Sequence, residues 1–551
     1  MAAKDGKWVT SISSYGVGGS NAHIVLESFD SVHDLEKPVA TITTVPNPLY
    51  LFSIGTLTET SLGRWKETLT TTFADTTDDR TLRSLARDLG RQTRAYPARS
   101  FAVSSGLGPN TKFSKPVLTN SNSSPKLCLV FSGQGPQHVF MGRQLAESYP
   151  AFLHSIREND RVLVEKYGQE SMLERTGLFI PGVECKLASS GVWPVREVVL
   201  SLVFVQVALV DLIRSLGIQY DIVVGHSIGE IAMGYASGHY DREMAVGIAV
   251  ARAAAMTQAE GNGAMVALGV GVQKAKTMIR KVLSKAKVTS GLWIAGLNSP
   301  SAVTVAGTHE LIDAMVELAA DPEAKVFAAK LRVGCAFHTP LMEPQEELFK
   351  KRVNETPLSK GTNKPVARVM STTDGKWLDR DLDINYCWDN IRRPVLFGTA
   401  MNKINNDYGA EGLLFLEIAP HPVLKAYIEQ CGGEPVSLIR RPNPKVPAQN
   451  TGEHYQFLEG IGNMLASGFK RVDFDKLCAS PDGETDFYKP QLPDYPYNKS
   501  YCWAESGGER SRRLRTKPRP IATPHFRINV DSHPDLTGHI VFDAVLFPAS
   551  G

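Results

Sequence analysis

At 551 residues the chain is too long for a single hydrophobic core, so several domains are expected. Its composition is that of ordinary globular protein, 42% hydrophobic and 21% charged. Lys plus Arg (60) exceed Asp plus Glu (57) by only +3, which excludes a general affinity for nucleic acid or membrane surfaces. The seven cysteines are scattered without a C-x-x-C pair, which points to reduced thiols in a cytoplasmic protein and to no metal site. Met1-Ala2-Ala3-Lys4-Asp5-Gly6 lacks the apolar core of a signal peptide. The most apolar run, Val198 to Ile213, is shorter than the ~20 residues that span a bilayer and contains Gln206 and Asp211. It reads as a buried helix.

In chain order, the first feature is a glycine-rich turn, Gly16-Val17-Gly18-Gly19, running into a short strand at Asn21-Ala22-His23-Ile24-Val25-Leu26-Glu27, with no evident partner strand. From Pro46 to Ser105 the pattern is a strand at Leu49–Ser53, polar helices at Leu57–Phe73 and Leu82–Leu89, and a strand at Arg99–Ser104. Arg91, Arg94 and Arg99 read as a solvated face, and the segment as a small α/β linker domain. Thr111 to Pro125, rich in Ser, Asn, Thr and Pro, reads as a loop.

A buried strand, Lys126 to Phe131, then ends in the loop Ser132-Gly133-Gln134-Gly135-Pro136-Gln137-His138. Glycine-flanked loops at strand C-termini are where α/β sheets place ligand groups, and Gln134 could give one backbone N–H to a substrate oxygen. No Gly-Lys-Ser/Thr follows, so this is not a phosphate-binding Walker loop. The stretch that organises the chain is Ile222-Val223-Val224-Gly225-His226-Ser227-Ile228-Gly229-Glu230: a β-branched strand, a G-x-S-x-G elbow and the start of a helix. The paired glycines tolerate a strained turn, and the helix N-terminus favours developing negative charge. Ser227 is therefore the candidate nucleophile.

Arg252 lies in the apolar helical stretch Ala249 to Met256. Burying a guanidinium is unfavourable unless it is paired, either with a distant acid or with a ligand carboxylate. Gly263 to Val333 alternates as strand Ala264–Leu268, basic helix Val272–Ala286, strands Leu292–Leu297 and Ala302–Ala306, helix Leu311–Ala320 and strand Ala324–Val333. That βαββαβ order is ferredoxin-like. Gly334-Cys335-Ala336-Phe337-His338 follows where the chain returns to the main body, and Met342 to Val353 reads as the next helix. Leu413 to Ile418 is a further strand, after which His421, between two prolines, reads as a turn residue supporting the cleft.

Taken together, Gly133-Gln134-Gly135, Gly225 to Glu230, Arg252, Cys335 to His338 and Glu417-Ile418-Ala419-Pro420-His421-Pro422 resemble the acyltransferase domains of polyketide and fatty acid synthases, the malonyl-CoA:acyl-carrier-protein transacylase family, over roughly residues 126 to 440. Gly16 to Glu27 resembles the last motif of ketosynthase domains, with Val17 where that family has Phe. The rest of such a domain is not in the chain, so no condensing activity is expected of it. Leu492 to Tyr501 with Trp503 is similar to the segment that follows such acyltransferases and wraps back over both the linker and the acyltransferase. His539 to Pro548 is similar to the start of a dehydratase hotdog fold, with Asp543 in place of a glycine.

The resemblance implies an α/β fold: an α/β-hydrolase-like large subdomain with a parallel sheet, plus the inserted ferredoxin-like small subdomain. The implied domains are a ketosynthase tail (1–30), a linker (31–125), the acyltransferase (126–440, its small subdomain 262–333), a second linker (441–515) and a dehydratase start (516–551). It implies a fragment of a type I, reducing, iterative fungal synthase, for which a monomer is expected. It further implies Ser227 as nucleophile, His338 as base, backbone N–H of Gln134 and Ile228 as oxyanion donors, and Arg252, Phe337 and His226 as substrate-binding residues. His539 would match a dehydratase base. Malonyl-CoA would be the donor, and the phosphopantetheine thiol of an acyl carrier protein the acceptor. No cofactor bound by the chain itself is expected, and the other synthase domains would be partners. Two other readings fit parts of the pattern. One is a serine hydrolase or thioesterase, which shares the elbow but would want an Asp or Glu and then a His late in the chain, and would not need the ferredoxin-like insertion or Arg252; the other is a non-catalytic synthase remnant.

Overall fold

The structure, a computed structural model, describes residues 9–15, 21–27, 48–120, 123–190, 192–322, 324–355, 365–443, 445, 451–480, 485–498, 540–541 and 544–545. They divide into two units, Met1–Pro496 and Tyr497–Gly551. In the first unit, β1 (Val9–Tyr15) and β2 (Asn21–Glu27) form an antiparallel hairpin with Ser11 opposite Val25. The strand that seemed to lack a partner therefore has one. β1 is rich in serine and carries too few apolar residues to show the alternation of a strand.

Next, β3 (Tyr50–Thr56), α1 (Glu59–Thr72), α2 (Asp79–Thr93), β4 (Ala98–Ser104) and β5 (Val117–Leu118) build the small α/β unit around an antiparallel β3-β4-β5 sheet. Thr58 and Asp78 cap the two helices by accepting the N–H groups of Ser61 and Thr81. Leu62, Trp65 and Leu69 of α1 and Leu82, Leu85 and Leu89 of α2 fall at helical spacing and bury one face of each helix.

Two expectations fail here. β5 lies within the stretch read as loop, added as a two-residue edge strand beside β4. Arg99 is fully buried rather than solvated. Its Nε donates to Tyr96 O (2.8 Å) and its Nη1 to Leu465 O (2.9 Å), so backbone carbonyls satisfy a guanidinium inside a core. Arg94 is half-buried, and only Arg91 is exposed, paired with Asp475.

The main body contains β6 (Lys126–Phe131), α3 (Arg143–Ser148), α4 (Pro150–Glu165), α5 (Met172–Thr176), α6 (Val195–Ser215), β7 (Ile222–Gly225), α7 (Gly229–Ser237) and α8 (Arg242–Gln258). α6 is the one helix among the described residues long and apolar enough to cross a membrane, but 83% of its apolar window is buried inside the protein. It is the central core helix, packed between α4 and α8.

The inserted subdomain follows as β8 (Ala264–Leu268), α9 (Val272–Ala286), β9 (Leu292–Ser299), β10 (Ala302–Gly307), α10 (His309–Ala320) and β11 (Ala328–Lys330). Its antiparallel order, β11-β8-β10-β9, is the ferredoxin-like arrangement expected. β11 has three residues, not the longer strand read at 324–333.

The chain re-enters the body through a 3₁₀ turn (Pro340–Gln345) and α11 (Glu346–Asn354). Pro340 and Pro344 fall in that turn, so the regular helix begins later than the expected Met342. Then come β12 (Arg368–Ser371), β13 (Lys376–Trp377), α12 (Ile384–Arg392), α13 (Phe397–Tyr408), β14 (Leu413–Ile418), α14 (Lys425–Gln430), β15 (Pro435–Ser437), α15 (Glu453–Ala466) and α16 (Phe474–Leu477).

The large sheet has the order β13-β12-β7-β6-β14-β15. All neighbours are parallel except β13, which runs antiparallel to β12. Phe131 at the end of β6 pairs with both Gly225 and Ile418, so the last residues of β6, β7 and β14 lie side by side. The three loops that leave them, Ser132–His138, the elbow and Ala419–Pro422, therefore open at one edge, where parallel sheets place ligands.

Beyond the body, Phe487 and Tyr495 return to the small α/β unit. Arg87 stacks on Phe487, and the Tyr495 hydroxyl accepts the Leu57 N–H (2.7 Å). In the second unit, β16 (Ile540–Val541) pairs with β17 (Ala544–Val545). His539, Asp543 and Pro548 lie outside the described residues.

Candidate active site

Ser227 occupies the left-handed backbone region at φ 55°, the strained conformation a nucleophile elbow imposes on a non-glycine residue. The flanking glycines permit it. A Cβ at Gly225 would stand 2.6 Å from Glu230 N, and one at Gly229 would stand 2.4 Å from Phe131 O. The turn can thus be this tight, with α7 starting directly against β6.

His338 arrives from the return of the small subdomain, also with positive φ (62°). Its Nε2 lies 2.8 Å from Ser227 Oγ and its Nδ1 3.1 Å from Arg393 O, while its backbone N–H donates to Ile391 O. A carbonyl only accepts, so Nδ1 carries the proton and Nε2 presents a lone pair to the serine hydroxyl. The group that orients the histidine is thus a backbone carbonyl, not an acid. Burial, and then the neighbouring Arg252 cation, push His338 down to about 3. The imidazole is consequently neutral, as a general base must be.

This has a checkable outcome. A step that depends on an ordinary histidine base would be halved in rate near pH ~6.5. Here the rate of a step in which His338 takes the Ser227 proton should stay flat from about pH 8 down to about pH 5. A midpoint near 6.5 would contradict the assignment.

Arg252, on α8, is buried. Its Nη2 donates to Ser227 Oγ (3.1 Å), its Nη1 to Asn390 Oδ1, and its Nε finds no partner among the described residues. Burial pulls the guanidinium down to about 10, still charged near neutrality. No acid pairs with it directly among the described residues, so the distant-acid alternative is not realised.

His226 reaches the other way. Its Nε2 is 3.0 Å from Asn298 Oδ1 on β9, and Asn298 Nδ2 donates to Thr304 Oγ1 (3.0 Å). His226 thereby ties the elbow to the small subdomain, and burial lowers its pKa. Phe337 is buried in the main core beside His338. A Cβ built on Gly133 would lie 2.9 Å from His226 O and 3.4 Å from Ser227 Cβ, so the Gly133-Gln134 loop lies directly against the elbow. Ile228 N–H follows Ser227 at the start of α7.

Several further groups support the site. Gln206, inside the apolar helix α6, donates to Ser132 O (2.7 Å) and pins the loop that carries Gln134. Glu417 accepts the N–H groups of Val423 and Leu424 (2.8 and 2.9 Å) and shapes the Pro-His-Pro turn; burial raises it to about 7. His421 accepts Arg441 N–H (3.1 Å), the turn role expected of it.

A cavity of about 510 Å³ lies elsewhere, lined by Lys126, Asp221, Ile222, Arg368 and Trp377. These residues mark the N-terminal ends of the parallel strands, and Arg368 stacks on Trp377 within it. Ser227, His338 and Arg252 converge instead at the opposite edge of the sheet. Among the described residues no group of three or more His, Cys, Asp or Glu could hold a metal ion.

Residues 128–451 match the family model of the acyl transferase domain. The chain belongs to the acyl transferase domain family. It is 32% identical over 99% of its length to the highly reducing polyketide synthase stpks1 of Strobilurus tenacellus, and 30% identical over 98% to the highly reducing polyketide synthase Preu1 of Preussia isomera. It spans only 19% and 24% of those relatives. Among solved structures it is similar to the acyl transferase domain of ZmaA (TM-score 0.67, 19% identity, covering 82% of this chain and 100% of that one). It is also similar to a loading acyltransferase of the avermectin modular polyketide synthase (TM-score 0.52, 25% identity, covering 61% and 99%). The acyltransferase domain thus has the fold of polyketide synthase acyltransferases. The hydrolase reading finds no support, since His338 is oriented by a carbonyl and the family is one of acyl transfer.

Proposed function

We propose that this acyltransferase domain loads a malonyl unit from malonyl-CoA onto Ser227 and passes it to the phosphopantetheine thiol of an acyl carrier protein, within a fungal, iterative, reducing polyketide synthase. The observation that carries the reading is a serine hydroxyl held between a neutral base and a buried cation, His338 Nε2 at 2.8 Å and Arg252 Nη2 at 3.1 Å. As Ser227 Oγ attacks the thioester carbonyl, His338 takes its proton. The oxyanion gathers at the backbone N–H groups of Gln134 and Ile228. The C–S bond then breaks, and CoA leaves as a thiol with the proton His338 returns. In the second half-reaction His338 deprotonates the carrier thiol, whose sulfur attacks the malonyl-serine ester and regenerates Ser227.

Arg252 would pair with the free malonyl carboxylate, a charge-assisted bond made away from water. Its unpartnered, buried Nε suits such a ligand. Phe337 and His226 would shape the acyl slot, and Phe337 favours malonyl over a branched extender, a preference that one methyl group limits to ~1–3 kcal/mol.

The test is transfer. With malonyl-CoA and a phosphopantetheinylated carrier protein, malonyl should appear on the carrier thiol with ping-pong kinetics. Release of free malonate with no carrier product would favour hydrolysis instead.

A further inference from the structure

The C-terminal turn of α12 faces two reactive groups at once. Ile391 O and Arg393 O fix His338, while the side chain of Asn390 points to Arg252. Asn390 is buried, 4% exposed. Its Oδ1 accepts from Arg252 Nη1, and its Nδ2 donates to Glu230 Oε2 (2.9 Å) and Thr373 Oγ1 (3.3 Å). Arginine can only donate, so the orientation of this amide is fixed by its partners.

Glu230 is itself buried and anchored. Thr372 gives it both N–H (2.9 Å) and hydroxyl (2.7 Å), and Thr373 a hydroxyl (3.2 Å). The carboxyl beside the buried guanidinium is therefore separated from it by one neutral amide. Arg–carboxylate contacts in a dry site tend to close into bidentate pairs, which would occupy the fork. Arg252, Glu230 and Asn390 also line a small cavity with room for about one water molecule.

We propose that Asn390 is a specificity-determining positioning residue. Its amide, set between Glu230 and Arg252, holds the guanidinium toward Ser227 and keeps its charge free for an acyl group that carries its own carboxylate. This rests on the loading reading above and adds to it the residue that keeps Arg252 available.

The test compares malonyl-CoA and acetyl-CoA as donors for Ser227 acylation in wild type, Asn390→Asp and Asn390→Ala, with melting curves to confirm folding. Asn390→Asp is nearly isosteric and places a carboxylate on the guanidinium. It should lower the malonyl-to-acetyl preference at least about tenfold, the effect of one hydrogen bond to a charged group, chiefly through a higher KM for malonyl-CoA. Asn390→Ala, which removes the acceptor, should shift the preference the same way. Equal falls for both donors, or an unchanged preference in both variants, would overturn the proposal while leaving the loading reading intact. A wild-type chain that takes neither acyl group on Ser227 would overturn the loading reading, and this inference with it.

Discussion

Replacing His338 with alanine should slow acylation of Ser227 by about 100- to 10,000-fold, with little change in KM for malonyl-CoA. The size follows from the geometry. Among the described residues Ser227 Oγ has one neighbouring base, His338 Nε2 at 2.8 Å, and the adjacent Arg252 can only donate. Without the imidazole the hydroxyl must lose its proton to solvent across a largely buried site. The oxyanion donors and Arg252 remain, so binding survives while the chemical step fails. The measurement is single-turnover acylation by rapid quench. A loss below tenfold would mean that another group takes the proton.

The second large effect is on Arg252. Arg252→Ala should reduce malonyl loading by more than about 100-fold, as expected when a buried charge loses a partner worth ~3 kcal/mol or more. Acetyl loading should fall far less, because acetyl has no carboxylate to strand. The structure adds a qualification to that contrast. Arg252 Nη2 also donates to Ser227 Oγ, so some loss with acetyl-CoA is expected too. Competition between the two donors in one reaction reads the ratio directly. Equal losses would make Arg252 a structural residue.

Much of this site is legible as linear text, for a definite reason. An elbow demands glycine on both sides of a strained serine, and a guanidinium in an apolar helix is expensive enough to be conspicuous. Ser227, Arg252 and the small subdomain's βαββαβ order were accessible on those grounds. His338 was accessible only by its place, where the chain returns to the body.

What orients these groups leaves no such mark. Arg393 acts on His338 through a carbonyl that every residue possesses. Gln206 looks like an interruption of a core helix until its bond to Ser132 O is seen. Asn390 and Asn298 are single amides whose partners lie 138 and 72 residues away. Arg99 follows Arg91 and Arg94 in the chain and looks solvated beside them, but it is buried, with the carbonyls of Arg94, Tyr96 and the distant Leu465 accepting its N–H groups.

The central claim is that Ser227 carries a malonyl ester in the working cycle. Brief exposure of the intact protein to malonyl-CoA, followed by intact-mass and peptide mass spectrometry, tests it most directly. The account predicts one malonyl adduct, located on the peptide holding Gly225 to Gly229, absent from Ser227→Ala and discharged by a phosphopantetheine thiol. No adduct in the wild type, or the same adduct in Ser227→Ala, would contradict it.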